Sequence, residues 1–212
     1  MPPRGYRSRS EVEIKKSRFI TTLSRVDTES EARDLIAEVR STFPDARHNC
    51  MAFILDDGQV RTARSSDDGE PSGTGGVPMM NALIQADIVN IVAVVTRYFG
   101  GIKLGASGLA RAYGGSVADG VATMDRVTRE VHQIWAVDLT HALSERTQEE
   151  LRRAGATLIM RTYGETGVRV RFTIGEDPVP VLGRILGEMV LPIADGCEVV
   201  EVPSRPGDSR KP

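Results

Sequence analysis

Arg97, Lys103 and Arg111 stand among six glycines in a stretch, from Asp87 to Asp119, whose interior holds no acidic residue. Point cations beside glycine-rich backbone are the composition of an anion site. Glycine loses more conformational freedom on folding than any other residue, so clustered glycines are expected where backbone takes positive φ or another group comes close. At a helix start such a loop presents backbone N–H groups to phosphate. The expected contacts are the side chains of Arg97, Lys103 and Arg111 and the amides around Gly100, Gly101 and Gly105, with a nucleotide phosphate or RNA backbone as ligand. The sequence Gly-x-x-x-x-Gly-Lys-Ser/Thr does not occur, so this is not a P-loop.

A second glycine loop precedes it, Ser65-Ser66-Asp67-Asp68-Gly69-Glu70-Pro71-Ser72-Gly73-Thr74-Gly75-Gly76. Asp67, Asp68 and Glu70 have two readings. As turn formers and caps they order this loop against the basic one; as hard oxygen ligands they hold a divalent cation such as Mg²⁺ or serve as a general base. Loop ordering is favoured, because no fixed ligand spacing is met. Nucleophile arrangements are poorer: hydroxyls at Ser66, Ser72, Thr74 and Ser107 and a base at His48 are present, but no Gly-x-Ser-x-Gly elbow is. Trp135 and Phe172 read as packing rather than base-stacking residues, since the basic-aromatic signature of an RNA-binding sheet is missing.

These loops need elements to hold them. Residues 12–23 suggest a first strand. Thr28-x-x-Glu31 is a capping box, and Ala32, Leu35, Ile36 and Val39 form one stripe of a helix that Pro44 ends. His48 to Leu55 and Val60 to Ser65 read as a hairpin about Asp56-Asp57-Gly58-Gln59. Pro78 is placed to open a helix through Ala86. Ile88 to Val95 reads as a strand buried on both faces, and a helix runs from about Leu104 to Met124, where Gly114-Gly115 suggest a close crossing or bend. Beyond Arg126 the rhythm changes: strand 129–139, helix 142–154, strands 157–163 and 168–174, helix 179–189, strand 197–202. That β-α-β-β-α-β order is the split βαβ, ferredoxin-like arrangement. The fold class is therefore α+β, with domains over 1–126 and 127–203 and a disordered tail over 204–212.

Composition narrows the function classes. With a net charge of −2 over 212 residues, and neither side of Arg126 a polycation, any nucleic-acid contact must come from a local patch. Cys50 and Cys197 lie far apart without metal spacing and read as buried or half-buried thiols of a reducing compartment. No membrane-spanning run and no apolar signal core are present, so a cytoplasmic protein is expected.

The run Arg64 to Gly76, then Val94-Val95-Thr96-Arg97-Tyr98-Phe99-Gly100-Gly101-Ile102-Lys103-Leu104-Gly105 and Leu109-Ala110-Arg111-Ala112-Tyr113, strongly resembles the IMPACT/YigZ family. Lys16-Ser17-Arg18-Phe19-Ile20 and Ala46-Arg47-His48-Asn49-Cys50 extend the match to roughly residues 10–125. The resemblance implies a bacterial two-domain member: an N-terminal domain of the ribosomal-protein-S5 domain-2-like kind, then one similar to the last domain of elongation factor G. Similar eukaryotic proteins regulate translation by binding the activator of the amino-acid-starvation kinase. The expectation is a non-enzymatic regulator linked to translation or stress response, without cofactor, whose partner is RNA, the ribosome or a translation-associated protein. The alternative is a metal-dependent hydrolase or phosphotransferase using Asp67, Asp68 and Glu70; a purely protein-binding module is a third reading.

Overall fold

The computed structural model describes residues 1–204, so the expected tail falls, from 205 on, outside the described residues. The protein is α+β, with two antiparallel sheets and five helices among the described residues. Two compact units are present: Met1–Thr128, which takes up the chain again at Pro203, and Arg129–Val202.

The first unit opens on β1 (Arg7–Ile14) and β2 (Ser17–Arg25), where one strand over 12–23 was expected. The chain reverses at Lys15 and Lys16, with φ of +47° and +64°, and Ile14 pairs with Ser17. Both central residues of a tight type I′ hairpin need positive φ, which Asn-Gly signals and two lysines do not. Helix α1 (Glu29–Thr42) starts as its capping box dictates: the Thr28 hydroxyl accepts from the Glu31 N–H. The Glu31 carboxylate returns one residue further back, accepting from the Asp27 N–H at 2.7 Å.

Strands β3 (His48–Asp56) and β4 (Arg61–Ser66) form the expected hairpin. Helix α2 (Gly76–Gln85) begins before Pro78, and β5 runs Ile91–Tyr98 rather than 88–95. Asp87 and Asn90 delay that strand, with φ of +50° and +56°. The Asn90 side chain secures the turn, accepting from the Asp56 N–H and donating to Asp27. Helix α3 (Gly105–Ala122) completes the unit.

The sheet order is β1-β2-β5-β3-β4. Its central strand β5 is covered on both faces, as its apolar run requires. Ile91, Ala93 and Val95 join Phe19, Leu23 and Cys50 beneath α2 and α3, while Val92 and Val94 meet Val39 and Leu35 of α1. Gly114 lets α3 approach α2, since a Cβ there would lie 3.2 Å from the Pro78 carbonyl oxygen.

The second unit contains β6 (Val127–Leu139), α4 (His141–Arg153), β7 (Thr157–Tyr163), β8 (Val168–Thr173), α5 (Pro178–Leu186) and β9 (Ile193–Pro203). The β-α-β-β-α-β order read from the sequence is present, and the strands lie in the order β7-β8-β6-β9. Trp135 pairs with Phe172 across β6 and β8. Phe172 is fully buried in the core with Leu151, Val181 and Leu182, and Trp135, partly buried, packs against it. Farther along the same two strands Arg169 pairs with Asp138, its register partner, and Arg171 pairs with Asp195 of β9, each at 2.7 Å.

Candidate functional site

The acidic loop between β4 and α2 folds around its own carboxylates. Asp67 Oδ1 accepts from the Gly75 and Gly76 N–H groups and Oδ2 from that of Gly73, each at 2.8 Å. Asp67 is thus the anion at the start of α2, supplied from within the chain. Partial burial works against its charge, but the three N–H bonds outweigh it and hold the carboxyl below the usual aspartate range. Gly75 and Gly76 are required here: a Cβ on Gly76 would stand 2.7 Å from the Ser66 nitrogen, and one on Gly75 2.5 Å from Cys50 Sγ.

A carboxyl with a depressed folded pKa contributes stability above its unfolded pKa, about 3.9, and loses that contribution as pH falls through the folded value. Asp67→Ala is therefore expected to lower unfolding stability by about 2 kcal/mol at neutral pH, by loss of a cap with three donors. Urea titrations should show this gap at neutral pH and its narrowing as pH falls below the unfolded value of about 3.9.

Asp68 ties the same loop to the sheet and to α1. Its carboxylate accepts from Arg40 at 2.5 Å and from the Asn49 N–H at 2.7 Å, and its carbonyl oxygen lies 2.9 Å from His48 Nδ1. His48 is half-buried in this contact. Glu70 points elsewhere, into the core. Its Oε1 meets Arg97 Nη1 at 2.7 Å and accepts from the Tyr113 hydroxyl at 2.8 Å. The side chains of Arg97 and Glu70 are only 8% and 3% exposed.

Arg97 therefore does not stand on the loop as a free cation. The sequence reading ends β5 at Val95; the strand runs on to Tyr98, and its two-residue period turns Arg97 to the same face as Val95 and Ala93. Its guanidinium lies 5.6 Å from the ring centroids of both Phe19 and Phe99, with Ser17 Oγ at 3.5 Å from Nη2, and Nε has no partner among the described residues. Around this pair Cys50 donates to the Asp67 carbonyl at 2.9 Å. Burial pushes its thiol up to about 12, with Tyr113 opposing and the nearby carboxylates adding, so it stays protonated. Cys197, by contrast, is exposed, contrary to the reading of both thiols as buried or half-buried.

The three carboxylates of the acidic loop thus serve three separate sets of partners. No group of three or more His, Cys, Asp or Glu side chains among the described residues is placed to hold a metal ion. Asp67 and Asp68 turn both carboxylate oxygens, and Glu70 its Oε1, to an amide, an arginine or a tyrosine.

The second loop is open. Lys103 and Arg111 are exposed with no ion pair among the described residues, and Gly101 and Gly105 hold φ of +87° and +73° in open space. No side chain caps α3 and no acidic residue occupies its first turn. Gly100 anchors the loop: its N–H donates to Ser17 Oγ at 3.2 Å, and a Cβ there would lie 1.9 Å from the Lys16 carbonyl oxygen. The β1–β2 turn with its exposed Lys15 and Lys16 is therefore built against this loop. Sequence reasoning missed Lys15, Lys16 and Ser17 as site neighbours; Lys16 and Ser17 were visible only as part of a matching motif.

No helix among the described residues is long and apolar enough to cross a membrane. The family model of the Impact N-terminal domain matches residues 15–121, which hold both loops. Over 155 residues the chain is 43% identical to the IMPACT family member YvyE of Bacillus subtilis (strain 168), spanning 73% of this chain and 71% of that protein. Over 108 residues it is 50% identical to the IMPACT family member YigZ of Escherichia coli (strain K12), spanning 50% of this chain and 52% of that one. A solved structure described as the crystal structure of an hypothetical protein matches with a TM-score of 0.56 at 31% identity, over 92% of this chain and 96% of its own. With the family's domain matched across half its length and a relative of this similarity, the chain belongs to the IMPACT family.

Proposed function

We propose that this protein is a non-enzymatic cytoplasmic regulator linked to translation or stress response, which contacts RNA, the ribosome or a translation-associated protein through the β5–α3 loop. The carrying observation is the contrast between its two glycine loops. The N-terminus of α2 is closed by Asp67, whereas that of the 18-residue α3 has no capping side chain and lies beside exposed Lys103. Aligned peptide dipoles and unpaired N–H groups make such an end a favourable place for phosphate. The contact set is Lys103, Arg111 and the backbone around Gly101 and Gly105, joined by Lys15 and Lys16. Arg97 and Gly100 support it from behind, Arg97 in its pair with Glu70 and Gly100 against Lys16.

Family membership supports the translation setting, since similar eukaryotic proteins regulate translation. We read the two units as the ribosomal-protein-S5 domain-2-like and elongation-factor-G-like folds that the resemblance implies. The engaged carboxylates count against the hydrolase reading.

Co-sedimentation with ribosomes and ribosomal subunits across a salt series tests the proposal. Wild-type pelleting should weaken steeply with salt, and a Lys15→Ala/Lys16→Ala/Lys103→Ala variant should pellet less with a shallower salt slope, by about one unit for each phosphate no longer neutralised. Absence of pelleting at any salt would overturn ribosome contact through this loop.

A further inference from the structure

We infer that the β5–α3 loop takes single-stranded RNA, with Phe99 as a stacking platform for an unpaired base and Lys103, Lys15 and Lys16 on the flanking phosphates. This rests on the contact role proposed above for the loop. The chain has ten aromatic residues, and among the described residues the exposed large hydrophobic side chains include only two aromatic ones, Phe99 and Tyr163. Phe99 is 56% exposed, at the root of the glycine loop. Its ring is not adrift: the buried Arg97 guanidinium lies 5.6 Å from the ring centroid, and Glu70 holds that guanidinium at 2.7 Å. A cation near one side and solvent over the rest leave ring surface for a second π-system.

The rim decides the ligand. Lys103, Lys15 and Lys16 are exposed and carry no carboxylate partner among the described residues, and Gly100 brings the Lys15–Lys16 turn against the loop. Unneutralised ammonium groups complement phosphates, and a ring meets a base only when that base is free of a duplex stack. Such stacking tolerates any base, because each has a π-face, so little sequence preference is expected. Ile102, 42% exposed, adds apolar surface to the same loop.

Fluorescence anisotropy with a labelled oligouridine of about ten nucleotides, and with duplex RNA of the same length, tests this. Wild type should bind the single strand more tightly than the duplex. Phe99→Ala should weaken single-strand binding by roughly tenfold with an unchanged salt slope, whereas the lysine triple variant should lower the slope. Phe99→Trp should retain binding, and its added emission should be quenched as the oligonucleotide is titrated. Equal binding by Phe99→Ala and wild type, or a duplex bound as tightly as the single strand, would overturn the stacking role. If Phe99→Ala still pellets with ribosomes while the lysine variant does not, stacking fails and the anion contact stands. Ribosome pelleting that needs Phe99 without any oligonucleotide binding would make the ring's partner a protein and overturn the RNA assignment.

Discussion

Glu70→Ala is expected to lower the unfolding free energy by about 4 kcal/mol, the range for breaking one side of a buried ion pair. Glu70 Oε1 faces Arg97 Nη1 at 2.7 Å and the Tyr113 hydroxyl at 2.8 Å, and Tyr113 is fully buried. Alanine would strand a guanidinium that cannot shed its proton and a phenol without an acceptor, with Arg97 Nε already unpartnered. Arg97→Met should cost less, because it removes the guanidinium and leaves the Tyr113 hydroxyl its acceptor. The double Glu70→Leu/Arg97→Met variant should recover most of the loss, since apolar replacement of both partners leaves no buried charge. Urea unfolding of the four proteins gives the ranking. A single Glu70→Ala variant as stable as wild type would show that the pair is hydrated in solution.

Gly100→Ala should be nearly as damaging, at about 3 kcal/mol or more. A Cβ there would stand 1.9 Å from the Lys16 oxygen and 2.5 Å from the Ser17 nitrogen. Both are backbone atoms, one in the two-residue hairpin turn and one at the start of β2, so there is no flexible side-chain end to swing aside. Relief requires the β5–α3 loop to move off the turn, breaking the Gly100 N–H bond to Ser17 and separating Lys103 from Lys15 and Lys16. The neighbouring Gly101→Ala is the control: nothing lies within 4 Å of its Cβ position, but its φ is +87°, so only the left-handed backbone term of about 1–2 kcal/mol applies. Thermal melting should place Gly100→Ala well below Gly101→Ala, and Gly101→Ala below wild type. A Gly100→Ala protein melting with wild type would contradict the packing of loop on turn.

Most of the architecture was legible because it rests on local rules. The capping box at Thr28 and Glu31, the β-α-β-β-α-β order of the second unit and the apolar run of β5 each depend on residues within a few positions of one another. The Lys15–Lys16 reversal was missed, since positive φ there is imposed by the pairing of β1 with β2 rather than by Gly or Asn. Glycine clustering marked both loops as places of close approach. It could not say which loop keeps its amides for another molecule.

That division depends on the third dimension. Asp67 reaches amides up to nine residues along the chain, and Glu70 meets Arg97 and Tyr113 from 27 and 43 residues away. Arg97 changed from surface cation to buried partner through an extension of β5 by three residues, which the apolar pattern does not record but the two-residue period then enforces. The amino-acid sequence by itself determined the fold class, the family and the two loops, because composition, spacing and local propensity are written in one dimension. Which cations face solvent, which carboxylates are already satisfied and where Phe99 stands open were decided only by the tertiary structure, because burial and pairing are properties of residues far apart in the chain.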